Sequence, residues 1–96
     1  MRKYEITFIV RPDVDEATAK SVFESMKEVL ENNKAKVVEA KELGQKELAY
    51  EIKKYKNGYY FYFVVEEENA KAVKEFDRLA LISDNIIRHL VVRVEE

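Results

Sequence analysis

The side chains in this chain that could do chemistry are mainly arginine, lysine and tyrosine, because cysteine is absent and only His89 carries an imidazole. Guanidinium and ammonium groups neutralise phosphates, and aromatic rings stack on bases, so the chemistry on offer is polyanion recognition rather than bond breaking. Arg2 and Lys3 stand together and are followed by Tyr4, which could stack on a base or pack in a core. Arg88 and Arg93 lie near the other terminus, and Lys53, Lys54 and Lys56 crowd a short turn-like segment, where they are either solvated or in contact with phosphate.

Other chemistries lack their groups. Without cysteine there is no thiolate zinc site, and one histidine cannot build an imidazole cage, so no metal is expected. No nucleophile stands beside a base, and the Asp13 and Asp15 carboxylates have a helix-capping explanation. The segment Arg11-Pro12-Asp13-Val14-Asp15 has no glycine and two acids, unlike the amide-lined loops that cradle phosphate in small phosphatases. The expectation is no enzyme activity, no cofactor and no small-molecule substrate. Seventeen basic residues against nineteen acidic give a net charge of −2, so any polyanion must be met by a local patch and not by a global field. No long apolar stretch is present, so neither a signal peptide nor a membrane span is expected, and the composition fits a cytoplasmic protein.

These groups are positioned by six elements in what reads as one domain over residues 1–96. Over residues 3–10, Tyr4, Ile6, Phe8 and Val10 alternate with Lys3, Glu5, Thr7 and Ile9, the period of a half-buried strand, which Pro12 ends. Asp13 or Asp15 can cap a helix whose Ala19, Val22, Phe23, Met26 and Leu30 form one apolar stripe, stopped at Asn32-Asn33. A long strand over residues 36–53 follows, with a bulge or bend at Gly44. Tyr55-Lys56-Asn57-Gly58 reads as a hairpin turn on the strength of Asn-Gly. The nearly continuous apolar run over residues 59–65 reads as a central strand. Glu66-Glu67-Glu68 reads as a solvated strand end whose carboxylates suit the positive end of the next helix, capped by Asn69, with Val73, Phe76, Leu79 and Ala80 inward. A last strand covers residues 86–94.

The order βαββαβ points to an α+β, ferredoxin-like sandwich: a four-stranded antiparallel sheet with both helices on one face, the first and third strands central. Arg93 would then lie near Arg2 and Lys3 on antiparallel neighbours, and with Arg88 they form a candidate RNA-binding group. If Ile6, Phe8, Val10, Tyr59, Phe61, Phe63 and Val65 face the helices, then Ile9, Tyr60, Tyr62 and Val64 face outward. A contiguous aromatic patch of that kind marks a partner surface, with Lys41, Glu42, Lys46 and Glu47 on the adjoining edge strand selecting the partner by charge. On the last strand, Arg88-Leu90-Val92-Val94 and Ile87-His89-Val91-Arg93 are both half apolar, so its facing stays open.

Gly58-Tyr59-Tyr60-Phe61-Tyr62-Phe63 is similar to a signature of the RNA recognition motif, which shares this topology. The first strand, however, offers Glu5, Thr7 and Ile9 where that module carries a second stacking ring. Gly44-Gln45-Lys46-Glu47-Leu48-Ala49-Tyr50-Glu51-Ile52-Lys53 more closely resembles the signature segment of the bacterial ribosomal small-subunit protein six family. That signature is glycine, any residue, a basic residue, a polar or charged residue, leucine, a small residue, tyrosine, any residue, an aliphatic and a basic or polar residue. Each defined position fits. Met1-Arg2-Lys3-Tyr4-Glu5 and Ser83-Asp84-Asn85-Ile86-Ile87-Arg88 also look like that family, so the resemblance runs from Met1 to about Arg93. It implies a structural, non-catalytic ribosomal protein of the cytoplasm without cofactor, binding 16S ribosomal RNA in its central domain beside small-subunit protein eighteen. The alternative is a protein-interaction module, or a redesigned scaffold, with this fold and no RNA partner.

Overall fold

The computed structural model describes residues 2–94; Met1, the first residue of the opening motif, lies outside them, as do Glu95 and Glu96. The elements run β1 (Arg2–Val10), α1 (Glu16–Asn32), β2 (Lys36–Ile52), β3 (Tyr55–Glu67), α2 (Lys71–Ile82) and β4 (Ile86–Val94). The strands pair antiparallel in the order β2-β3-β1-β4, so β1 and β3 are central as expected.

Alternation in β1 and β3 builds the core. Ile6, Phe8, Val10, Phe61, Phe63 and Val65 all point to the helix side and are at most 4% exposed. Phe23 of α1 stacks on Phe61 and Phe63 with ring centroids 4.9 and 5.1 Å apart, and Phe76 of α2 meets Phe8 edge-on at 5.6 Å. Burial of a large apolar side chain stabilises by about 2 kcal/mol, and the offset and edge contacts add to it. α1 begins where Asp15 accepts a 2.7 Å hydrogen bond from the Thr18 amide. It ends where Lys34 takes a φ of +69° and the amide of Ala35 returns to the Leu30 carbonyl.

Two expectations are corrected. The hairpin turn lies at Lys53-Lys54, whose φ values of +50° and +71° make the two-residue loop, while Asn57 and Gly58 are paired inside β3 with Glu47 and Lys46. Gly58 serves a different need: a Cβ there would collide with Ile9 Cγ2 and come within 3.0 Å of the Val10 carbonyl oxygen. The start of α2 is also different. Its N-cap is Ala70, and the Glu67 carboxylate reaches back to accept hydrogen bonds from the amides of Ala72 (2.9 Å) and Val73 (3.1 Å). Glu67 is therefore buried, not solvated, and Asn69 accepts only from Lys71.

Gly44 does mark a bend. It has φ +83°, and β2 carries one extra residue on each side of Glu39–Glu42, namely Val38 and Leu43. No helix among the described residues is long and apolar enough to cross a membrane.

Candidate RNA and protein interface

The face of the sheet opposite the helices holds most of the candidate residues, and the strand registers give each a place. Lys3 is opposite Val94, Tyr4 opposite Arg93, and Ile9 opposite Arg88. Arg93 thus sits beside Arg2 and Lys3 as expected, with Lys3 on the open side and Arg2 and Arg93 on the helix side of that sheet end. Arg88 does not join them. It lies six residues along β1 from the Lys3 position, roughly 20 Å at strand rise, so the expected four-residue group is split between opposite ends. Tyr4 is 7% exposed and belongs to the core, which withholds its ring from stacking. Among the described residues, none of Arg2, Lys3, Arg88, Arg93, Lys53, Lys54 or Lys56 is held in an ion pair.

Arg88 is instead next to the β2–β3 hairpin. From Glu47 to Ile52, β2 takes five steps while β3 takes two between Tyr55 and Asn57, so this arm carries surplus chain and curls onto the open face. Leu48, Ala49, Tyr50 and Ile52 line a shallow groove there with Ile9, Tyr60 and Arg88. Ile87, the extra residue of a bulge in β4, packs toward the same region beside Gly58, and Ile9 and Ile87 are both buried though neither faces the helices. The arm is anchored on its other side, where Tyr55 donates to Asp13 at 3.3 Å.

The expected protein surface needs partial correction. Tyr60 and Tyr62 are half-buried on the open face, but Val64 is only 6% exposed and offers little area to a partner. Lys46 and Glu47 oppose Gly58 and Asn57 on the arm; the edge residues beside Val64 and Tyr62 are Glu39 and Lys41. These two form a 2.7 Å ion pair. Partial burial pushes the Tyr62 phenol up, and the carboxylates of Glu5 and Glu39 push it further, with Lys41 opposing them. Sequence reasoning missed Leu90 and Val92, which the register of β4 places on the open face at 60% and 44% exposure. No signal in β4 alone could have found them, because both of its parities are half apolar; only pairing with Thr7 and Glu5 decides.

A profile of the family described as Ribosomal protein S6 matches residues 3–93. The chain belongs to the ribosomal protein S6 family. The crystal structure of 30S ribosomal protein S6 from Thermotoga maritima is similar to it at 29% identity and a TM-score of 0.92, covering 97% of this chain and 87% of that one. As an S6 family member the chain is a structural protein of the small ribosomal subunit, in the bacterial cytoplasm, and not an enzyme. Its S6 fold is the ferredoxin-like sandwich described above.

The segment that resembles the S6 signature is the second half of β2, from the Gly44 bend through the curled arm to the turn, where the pairing with β3 departs furthest from a regular ladder. Elsewhere the S6 framework uses its titratable groups for structure. Arg11 donates to Asn85 at 3.2 Å and sits 3.6 Å from Asp13, so the loop after β1 is knitted to the loop before β4 and is no anion cradle. His89 is paired with Asp77 at 2.6 Å and lies edge-on to Phe76, tying β4 to α2. Among the described residues no cluster of three His, Cys, Asp or Glu could hold a metal.

Proposed function

We propose that this S6 family member acts as one domain that binds 16S ribosomal RNA in the central domain of the small subunit together with small-subunit protein eighteen, without a cofactor. The observation that carries the reading is the sheet with its open face: cations that make no ion pair among the described residues stand at its two ends, Lys3 on the open side with Arg2 and Arg93 on the helix side at one, and Arg88 with Lys53, Lys54 and Lys56 at the other, while exposed apolar side chains of the open face lie between them. Phosphate contacts need the former, and a protein partner would cover the latter, chiefly Tyr62, Leu90 and Val92 with Tyr60 at their border. Val64, on the same face, offers little area of its own, and Glu39 and Lys41 border the patch on the edge strand while Lys46 and Glu47 stand farther along on the arm.

The test is binding of a 16S central-domain fragment across a salt series, with and without small-subunit protein eighteen. Affinity should fall steeply with salt, and Arg93→Glu should weaken binding and lower the slope by about 1 while the domain stays folded. An unchanged slope removes Arg93 from the RNA surface. The alternative of an interaction module without RNA requires that the parent protein show no salt-dependent binding at all.

A further inference from the structure

The groove under the hairpin arm has a composition unlike the rest of the open face. Its floor is Ile9, able to lie flat because Gly58 has no side chain, and its sides include Leu48, Tyr50 and Tyr60, with Arg88 at the border. No carboxylate lines it, although acidic residues outnumber basic ones in the chain. Its volume of about 160 Å³ is below the ~300 Å³ at which enclosed ligand pockets begin, so it suits one flat ring and not a folded segment or a cofactor. Tyr50 is 66% exposed, which leaves its ring free. Around the groove, residues 46–56 carry Lys46, Lys53, Lys54 and Lys56 against Glu47 and Glu51, and these two acids line a neighbouring hollow with Lys56 that shares Leu48 and Tyr50 with the groove.

We infer that this groove is a stacking site for a single unpaired nucleotide of RNA, the base lying against Tyr50 and Tyr60 and its phosphate meeting Arg88. The inference rests on the ribosomal RNA reading and sharpens it: the protein would grip RNA at two separate places, by charge alone at the Arg2, Lys3 and Arg93 end and by stacking plus charge at the arm. Charge complementarity selects the occupant, since aromatic faces beside an arginine and flanking lysines match a base with its phosphate, whereas an apolar protein segment has no use for the cations.

Two measurements test it. In the first, tetraadenylate is titrated into the isotopically labelled protein; the backbone signals of Leu48, Ala49, Tyr50, Tyr60 and Arg88 should shift while those of Arg2 and Arg93 stay, and shifts confined to Arg2 and Arg93 overturn the site. In the second, the 16S central-domain fragment is bound by Tyr50→Leu, Tyr50→Phe and Arg88→Gln variants. Tyr50→Leu should weaken binding about tenfold or more with an unchanged salt slope, Tyr50→Phe should retain affinity, and Arg88→Gln should lower the slope by about 1. Parent affinity in Tyr50→Leu, alongside a weakened Arg93→Glu, overturns the groove and leaves the RNA reading standing. Loss of affinity for small-subunit protein eighteen with RNA affinity intact overturns the groove as an RNA site. Absence of salt-dependent binding in the parent overturns both.

Discussion

The two faces of this one sheet are made by the same strands and finished differently. Toward the helices, β1 and β3 present Ile6, Phe8, Val10, Phe61, Phe63 and Val65, every one sealed by α1 or α2. Toward the other side the same strands present Ile9, Tyr60, Tyr62 and Val64, and β4 adds Leu90 and Val92 to the open. The end under the arm is closed, by surplus chain of β2 and by the bulged Ile87, and Val64 beside Glu39 is nearly buried as well. The contrast shows how a fold divides its labour. The helix face is complete within the chain and carries stability, whereas the open face is packed at one end and unfinished in the middle, as a surface awaiting a partner should be.

If the arm end is as tightly packed as the helix side, the largest loss should come from a residue that no helix touches. Gly58→Ala forces a methyl against Ile9 and the Val10 carbonyl, where backbone and a β-branched side chain have little room to give. Denaturant melts should show a loss of about 3 kcal/mol. A variant as stable as the parent would mean that the arm rests loosely and that the two faces differ more than argued. Glu67→Ala probes the helix side at the opposite end of β3. It strips two amides of α2 of their acceptor, and the expected cost is about 2 kcal/mol, read in the same melts. Glu67→Gln should recover part of it, because an amide oxygen can still accept.

Most of the helix face was legible in the sequence because it is written locally. Period-two alternation in β1 and the apolar stripes of α1 and α2 named almost every core residue, and Asp15 announced its own helix. The open face was legible only where it depends on the same alternation, as at Tyr60 and Tyr62. Its ends were not, because they depend on registers and bulges that no window of sequence contains: Arg88 parts from Arg93 through strand length, and Lys46 and Glu47 leave the neighbourhood of Tyr62 through the extra residues of β2. The turn was misplaced for a related reason. Asn57-Gly58 carries strong turn chemistry, but the close approach of Ile9 claims that glycine for β3, and two lysines take the positive φ values instead. Glu67 hid inside a run of three glutamates that are chemically alike and differ only in which way the strand turns them.

A smaller effect is expected where the arm begins. A Cβ at Gly44 would meet nothing within 4 Å, so the only cost of a side chain is its φ of +83°. Gly44→Ala should therefore lose about 1 kcal/mol, well short of Gly58→Ala, and Gly44→Asn should lose less because asparagine tolerates this region. Equal losses at the two glycines would erase the distinction between a bend that needs conformational freedom and a floor that needs space.

The smallest effect lies in the middle of the open face, where Tyr62 stands among charges and not in a core. Its phenol is pushed up by partial burial and by the carboxylates of Glu5 and Glu39, so the folded protein holds that proton more tightly than the unfolded chain does. Its contribution to stability is complete below the unfolded value of about 10 and is lost as pH rises toward the higher folded value. Lys41, held in its charged form by Glu39, acts in the same direction in the same range. Tyr62→Phe removes the phenol from this balance. The variant should melt close to the parent near neutral pH, and between about pH 9 and 11.5 its Tm should fall less steeply, because the phenol is gone and Lys41 loses the Tyr62 part of its upward shift, while the tyrosines and lysines away from this site titrate alike in both proteins. A Tm difference that stays constant over that range would mean that Tyr62 is no more enclosed than a tyrosine in water, and the centre of the open face would then be wetter than its register neighbours imply.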